Sequence, residues 1–261
     1  MAGLSEILEG HHPARSISLP SRLKPKSHKI ETELKKLKAW EFASSLAGTE
    51  SSLQAETVQV GLAGLAELYT YIQELINSTL TQQALLHHQH GKEAQEALDR
   101  SIGLLDICGS ARDLFLLMKE HVQELLSALR RKGGDSSIKN YVYAYIFFRK
   151  KAKKEIFKSL KALKKIDSSI GPYQLLDVDH HQLMVVKVLR ELSKVTVSMF
   201  QSLLLFMSMP VLKKNTSRWS LISKLMITRS DREEKIINEV GSIDAALCSL
   251  HERIGKTNAN G

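Results

Sequence analysis

Apolar positions recur along most of the chain with the rhythm of one helix face. In 51–76, Val58, Leu62, Leu65, Tyr69, Ile72 and Ile76 step alternately by four and three. Cys108, Ala111, Phe115, Met118, Val122, Leu125 and Leu129 do the same within 92–131. Val185, Leu189, Leu192, Thr196, Met199, Leu203 and Phe206 repeat it within 179–208, and Ile236, Val240, Ile243, Leu247, Leu250 and Ile254 within 231–255. A mean step of about 3.5 residues keeps a stripe on one side of an α-helix, and apolar neighbours beside each stripe widen it enough to be buried in a bundle. No period-two run of similar length occurs, so strands are not expected.

The punctuation between stripes agrees. Ser51 with Gln54, Thr79 with Gln82 and Ser230 with Glu233 have the spacing of capping boxes, in which side chains satisfy free backbone N–H groups. Asp179 is placed to cap the helix after it. Gly133–Gly134 ends one long helix in a conformation glycine tolerates, and Gly171–Pro172 and Pro210 close two others. The longest helix should run to roughly 55–60 Å at about 1.5 Å per residue. The pattern predicts an all-α fold, an elongated up-and-down helical bundle over 31–256. Residues 1–30 hold three of the five prolines (Pro13, Pro20, Pro25) and no long apolar periodicity, and are expected to form a flexible, disordered N-terminal arm. Residues 257–261 are expected to be a disordered tail.

Composition narrows the class. The chain has 261 residues, of which 43% are hydrophobic, which excludes a wholly disordered protein. Two cysteines, Cys108 and Cys248, make no disulfide framework and fit a reducing compartment. The arm lacks the apolar core of a secretory signal, and its Glu6 and Glu9 argue against an organelle address. A cytoplasmic location is expected, with membrane-peripheral or nuclear placement, and less favoured organelle targeting, as alternatives.

The formal charge of +9 is concentrated. Between Arg130 and Lys165 stand 13 Lys/Arg against two acids, Asp135 and Glu155, while the rest carries 24 bases and 26 acids. At its heart Arg149, Lys150, Lys151, Lys153, Lys154, Lys158, Lys161, Lys164 and Lys165 line a basic amphipathic helix whose apolar side includes Ala152, Ile156, Leu160 and Leu163. Such a face attracts an anionic membrane surface, serves as a nuclear address, or is a solvated outer flank. Tyr141, Tyr143, Tyr145, Phe147 and Phe148 precede the charge and read as core, so stacking on nucleic-acid bases is not expected. Val195–Leu212 is 18 residues without charge. Its polar members, Pro210 and the continuing stripe favour a buried central helix over a membrane span.

Candidate chemistry is sparse. His87, His88 and His90, and His180–His181 after Asp177 and Asp179, lack the spacing of a metal site and read as solvated helix ends. Cys108 lies on an apolar face as a packed thiol. No catalytic, cofactor-binding or metal residues are assigned, and no cofactor is implied. The arm offers one sharper motif: Arg15-Ser16-Ile17-Ser18-Leu19-Pro20 matches R-S-x-S-x-P, read by 14-3-3 proteins when Ser18 is phosphorylated. Phosphate there would supply the charge that an arginine cluster grips, and Pro20 turns the peptide out of the groove.

Taken in order, RSISLPSR (15–22), GLAGLAELYTYIQELI (61–76), TQQALL (81–86) and LLDICGSARDLFLLMKEHVQELLSALRRKGG (104–134) resemble the plant BYPASS-related family. So do FFRKKAKKEI (147–156), VLRELSKVTVSMFQSLLLF (188–206), WSLISKLM (219–226) and NEVGSIDAALCSL (238–250). The resemblance implies a helical, non-enzymatic plant protein of root and shoot development acting through protein partners, and it carries over no catalytic residues. Similar proteins continue past the last helix with another helical segment. The stripe of 231–255 is therefore expected either to face an empty groove or to rest on the bundle. The runner-up functions are peripheral membrane docking by the basic helix and, further off, an unrecognised enzyme of signal-compound metabolism.

Overall fold

The apolar stripes become the buried sides of helices, except that Tyr69 of the first stripe and Leu129 at the end of the second are exposed. The computed structural model describes residues 24–50, 53–86, 92–131, 135–171, 180–208 and 238–257, and among these it has seven helices and no strand. They are α1 (Lys24–Glu50), α2 (Ala55–Ile76), α3 (Thr79–Leu86), α4 (Lys92–Arg130), α5 (Asp135–Ser169), α6 (His180–Ser208) and α7 (Glu239–Thr257). The 39 residues of α4 make it the longest, about 58 Å at about 1.5 Å per residue.

Helix α6 is the hub, touching each of α1 to α5. Its uncharged end explains why: Val195, Val197, Met199, Phe200, Leu203, Leu204, Phe206 and Met207 are all buried. The uncharged stretch from Val195 is thus bundle interior as far as Ser208, and no helix among the described residues is long and apolar enough to cross a membrane.

Helices α1 and α2 run antiparallel, as do α4 and α5. On α1 and α2, Trp40 Nε1 donates to the Thr57 carbonyl at 2.8 Å while Lys29 lies over the Tyr71 ring. On α4 and α5, Gly103 stands against Ile166 and the His121 ring against Phe148. Gly61 lets α1, α2 and α6 converge: a Cβ there would stand 2.5 Å from Met199 Cε and 2.6 Å from Trp40 Cε2. Only the absence of a side chain allows that approach.

A second, smaller core forms at the far end of α4 and α5. Leu125, Val142, Tyr145 and Leu247 are buried together, with Ile243 and Leu250 of α7 against them. The described part of the last stripe therefore rests on the bundle, the second of the two outcomes its sequence allowed.

Four boundaries differ from expectation. Helix α1 begins at Lys24, inside the stretch expected to be a flexible arm through residue 30. Ile30, Leu34 and Leu37 are buried in the main core and pull the preceding turns into helix, and Pro25 sits in the first turn, where its missing N–H costs nothing. Helix α3 is capped by Ser78, not Thr79: the Ser78 hydroxyl accepts from the Thr81 N–H at 3.4 Å and bonds the Leu75 carbonyl at 2.8 Å. The described part of the last helix starts at Glu239, capped by Asn238, whose Oδ1 accepts from the Gly241 N–H at 2.9 Å. Gln54, expected three residues into a helix capped by Ser51, is instead the extended N-cap residue of α2 and makes no side-chain cap bond, so that box does not start the helix. Ser51 itself, the box expected at Ser230, the Asp179 cap and Gly133–Gly134 lie outside the described residues.

Candidate functional site

Helix α5 carries the basic block, and burial sorts its charges into two sets. Ala152, Ile156 and Leu163 are buried and Leu160 partly so, which seats the apolar side as its spacing foretold. Opposite them Lys150, Lys151, Lys154, Lys158, Lys161, Lys164 and Lys165 are all exposed. Arg149 and Lys153 belong to the other set.

Arg149 was expected on the basic face and is instead buried. Its guanidinium meets the Asp244 carboxylate of α7 through Nε at 2.8 Å and Nη2 at 2.8 Å, a bidentate grip. The Tyr145 hydroxyl donates to the same carboxylate at 2.9 Å. Residues 145 and 149 share a face one turn apart, so two donors converge on one acceptor between helices. Burial and the Asp244 charge together hold the Tyr145 phenol well above its ordinary range. Half-buried Lys153 has its ammonium pushed below the ordinary lysine range, chiefly by desolvation. These groups hold α7 on α5; the seven lysines face water.

The aromatic residues divide in the same way. Tyr145 and Phe148 are core, as expected. Tyr143 and Phe147 are not: Phe147 is 60% exposed, and farther along Phe157 is 50% exposed. The Lys151 ammonium lies 4.6 Å from the Phe147 ring centroid and Lys139 5.9 Å from that of Tyr143. Cationic heads interleaved with apolar rings therefore form one outward face along α5. Period alone could not place Phe147 and Phe157 outside, because the same residue types line the buried side.

The remaining candidates settle elsewhere. His181 was read as a solvated helix end and is buried instead, its Nε2 3.1 Å from the Thr81 hydroxyl, which ties α6 to α3. Cys108 is partly buried, and desolvation raises its thiol above the ordinary range, as suits a packed thiol rather than a nucleophile. It lines a mostly apolar groove of about 580 Å³ between α2, α4 and α6, with Leu62, Leu105, Gly109, Phe115 and Phe200. A smaller cleft of about 330 Å³ holds Lys38, Glu41, Asp167, Glu191 and Lys194, and there a Lys38–Glu191 ion pair spans α1 and α6. Among the described residues no three His, Cys, Asp or Glu side chains gather as metal ligands. Arg15, Ser16, Ser18 and Pro20, and His87, His88 and His90, lie outside the described residues.

The family model described as Protein BPS1 matches residues 61–260, well over half of the chain. The chain belongs to the Protein BPS1 family. The BPS1 match begins in α2 and takes in the α5 face and the Arg149–Asp244 pair. It agrees with the BYPASS-related resemblance carried by the sequence motifs. No curated protein and no solved structure matches the chain.

Proposed function

We propose that this BPS1-family chain is a non-catalytic protein of plant root and shoot development that works through the surfaces it offers to partners, and that α5 docks it on an anionic membrane surface. The observation that carries the docking is the outward face of α5: seven exposed lysines interleaved with exposed Phe147 and Phe157. Lysines attract anionic headgroups from a distance, and rings set between them enter the interface once contact is made. The buried polar groups Arg149, Asp244 and Tyr145 are occupied in joining helices, which suits a scaffold. Protein partners enter through the arm. Phosphorylation of Ser18 would recruit a 14-3-3 protein to Arg15–Pro20, and a phosphorylated peptide of residues 10–24 that fails to bind in a titration removes that route.

Co-sedimentation of the full chain with liposomes tests the membrane reading. Binding is expected to vesicles containing phosphatidylserine, to fall as salt rises, and to be absent on phosphatidylcholine alone. Each lysine near an anionic surface contributes about 1 kcal/mol. Reversing Lys150, Lys151, Lys154 and Lys158 to Glu should therefore weaken binding by at least about 100-fold. Changing Phe147 and Phe157 to Ser should weaken it while leaving the salt dependence in place. Equal binding to neutral vesicles, or none to anionic vesicles at low salt, would reject this reading.

A further inference from the structure

The outward face of α5 does not end on a lysine. From Phe147 it runs through Lys150, Lys154, Phe157, Lys161 and Lys164 by alternate steps of three and four, and the next step of four lands on Ser168. Every member of this row is exposed, Ser168 included, and Ser168 lies in the last turn of the helix. Its hydroxyl donates to the Lys165 carbonyl at 2.8 Å, a bond within its own turn that keeps the oxygen at the surface. Residues three and four apart are neighbours on a helix, so Lys164 and Lys165 stand beside Ser168, with Lys161 one turn further along. The other serines of this stretch do not share that place. Ser159 is buried, and Ser169 is one residue off the row, its hydroxyl bonded to the Ile166 carbonyl at 2.6 Å. Asp167 is also off the row and lines the cleft that holds Lys38 and Glu191.

We propose that Ser168 is a phosphorylation site, modified by a kinase that reads lysines ahead of its target, and that the phosphate releases α5 from an anionic membrane. The switch rests on the docking by α5 proposed above and adds its regulation. Lys164 and Lys165 supply cations four and three residues before the acceptor, where acidic groups in the substrate groove of such a kinase grip them. The last carbonyls of a helix lack partners within it, so this turn opens more readily than the middle of α5 and presents the serine. The γ-phosphoryl group of ATP then passes to the Ser168 oxygen. An O–P bond forms as the bond to departing ADP breaks, and the hydroxyl proton goes to the catalytic base of the kinase. The product carries about −1.5 to −2 charge at pH 7, set within a face of seven exposed lysines. It cancels about two of their charges, drawing Lys161, Lys164 and Lys165 to itself, and it faces the lipid phosphates as a like charge. An anion at the C-terminal end of α5 also opposes the helix dipole, which loosens the end of the docking face.

Two assays on the full chain test the switch. In the first, a calcium-dependent protein kinase that takes a basic residue three before its target is supplied with ATP, and sites are mapped by mass spectrometry. Phosphate is expected on Ser168, and changing Lys164 and Lys165 to Ala should slow its incorporation by at least about tenfold. In the second, phosphoserine is installed at position 168 through a reassigned codon, and the chain is sedimented with phosphatidylserine vesicles. Binding should weaken by at least about tenfold, with a shallower dependence on salt, as expected for the loss of about two lysine charges. Ser168→Lys extends the row instead and should tighten binding about fivefold. Phosphoserine at position 101, exposed on α4 and nearly opposite Gly103, which faces α5, should change binding by less than about threefold. An unmodified chain that does not bind anionic vesicles rejects the docking itself, and the switch with it. A chain that binds them, yet takes no phosphate on Ser168 or binds equally well once it carries one, overturns the switch and leaves the docking standing.

Discussion

Arg149 sits in a run of lysines and does something none of them does. Its buried pairing with Asp244 places two opposite charges out of water, where their attraction roughly repays desolvation but an unpaired member would not be repaid. Asp244→Ala strands the guanidinium beside half-buried Lys153 and should cost about 3–5 kcal/mol in urea unfolding. Replacing the pair together, Arg149→Met with Asp244→Leu, should recover most of that loss, so a double-mutant cycle reads a large coupling. Tyr145→Phe removes a hydrogen bond to a carboxylate and should cost about 1.5–3 kcal/mol. It also has a pH signature. The unfolded phenol ionises near pH 10, whereas burial and Asp244 hold the native one protonated well above that. Above pH 10 the unfolded state thus binds fewer protons, and stability falls as pH rises. The Phe variant lacks this contribution, and alkaline unfolding followed by circular dichroism should show a shallower loss.

Between elements, the joints are made by single polar side chains at helix ends. Asn238 accepts from Gly241 at the start of α7 and donates through Nδ2 to the Phe206 carbonyl at 2.8 Å, closing the end of α6. Glu239 reaches across to the Ala55 N–H at 3.2 Å, where α2 lacks a side-chain cap of its own. A carboxylate at a helix N-terminus is favourable both as acceptor and against the dipole. Asn238→Ala should destabilise by about 1–2 kcal/mol. Hydrogen exchange should quicken most in α7, which rests mainly on α5, and little in α4. None of these joints was legible in the sequence. The stripes were, because burial forces its period on every helix: Val58 and Ile72, Val185 and Leu203, Val240 and Leu247 all lie inside as their spacing required. The same logic seated Ala152, Ile156 and Leu163. It failed for Arg149, since a cation that turns inward differs from its neighbours only in the partner it meets, and Asp244 is 95 residues away. It failed for Tyr143 and Phe147 for the converse reason, and it overlooked exposed Leu98, Ile102, Leu105 and Leu116 of α4 because one helix can carry two periodic faces.

For the whole molecule, the separation of charge makes a prediction that no single residue makes. The lysines of α5 crowd one flank and repel one another, while their compensating acids lie elsewhere, among them exposed Asp99, Asp106, Asp113 and Glu120 of α4. Self-repulsion of this kind weakens the compact state, and salt relieves it, because the Debye length shrinks to about 10 Å at 0.1 M. Raising sodium chloride from about 0.02 to 0.3 M should therefore increase the unfolding temperature by about 2–4 °C, the shift expected for about 1 kcal/mol in a domain of this size. The same salt should weaken binding to anionic vesicles, since there the lysines attract rather than repel. Opposite responses of folding and docking to one variable follow only if one cationic face governs both. Reversing Lys150, Lys151, Lys154 and Lys158 to Glu should remove the two effects together. Scanning calorimetry across the salt range, beside the vesicle assay on the same samples, checks the pair: a melting temperature that falls with salt in the unaltered protein would mean that attraction, not repulsion, dominates the α5 flank.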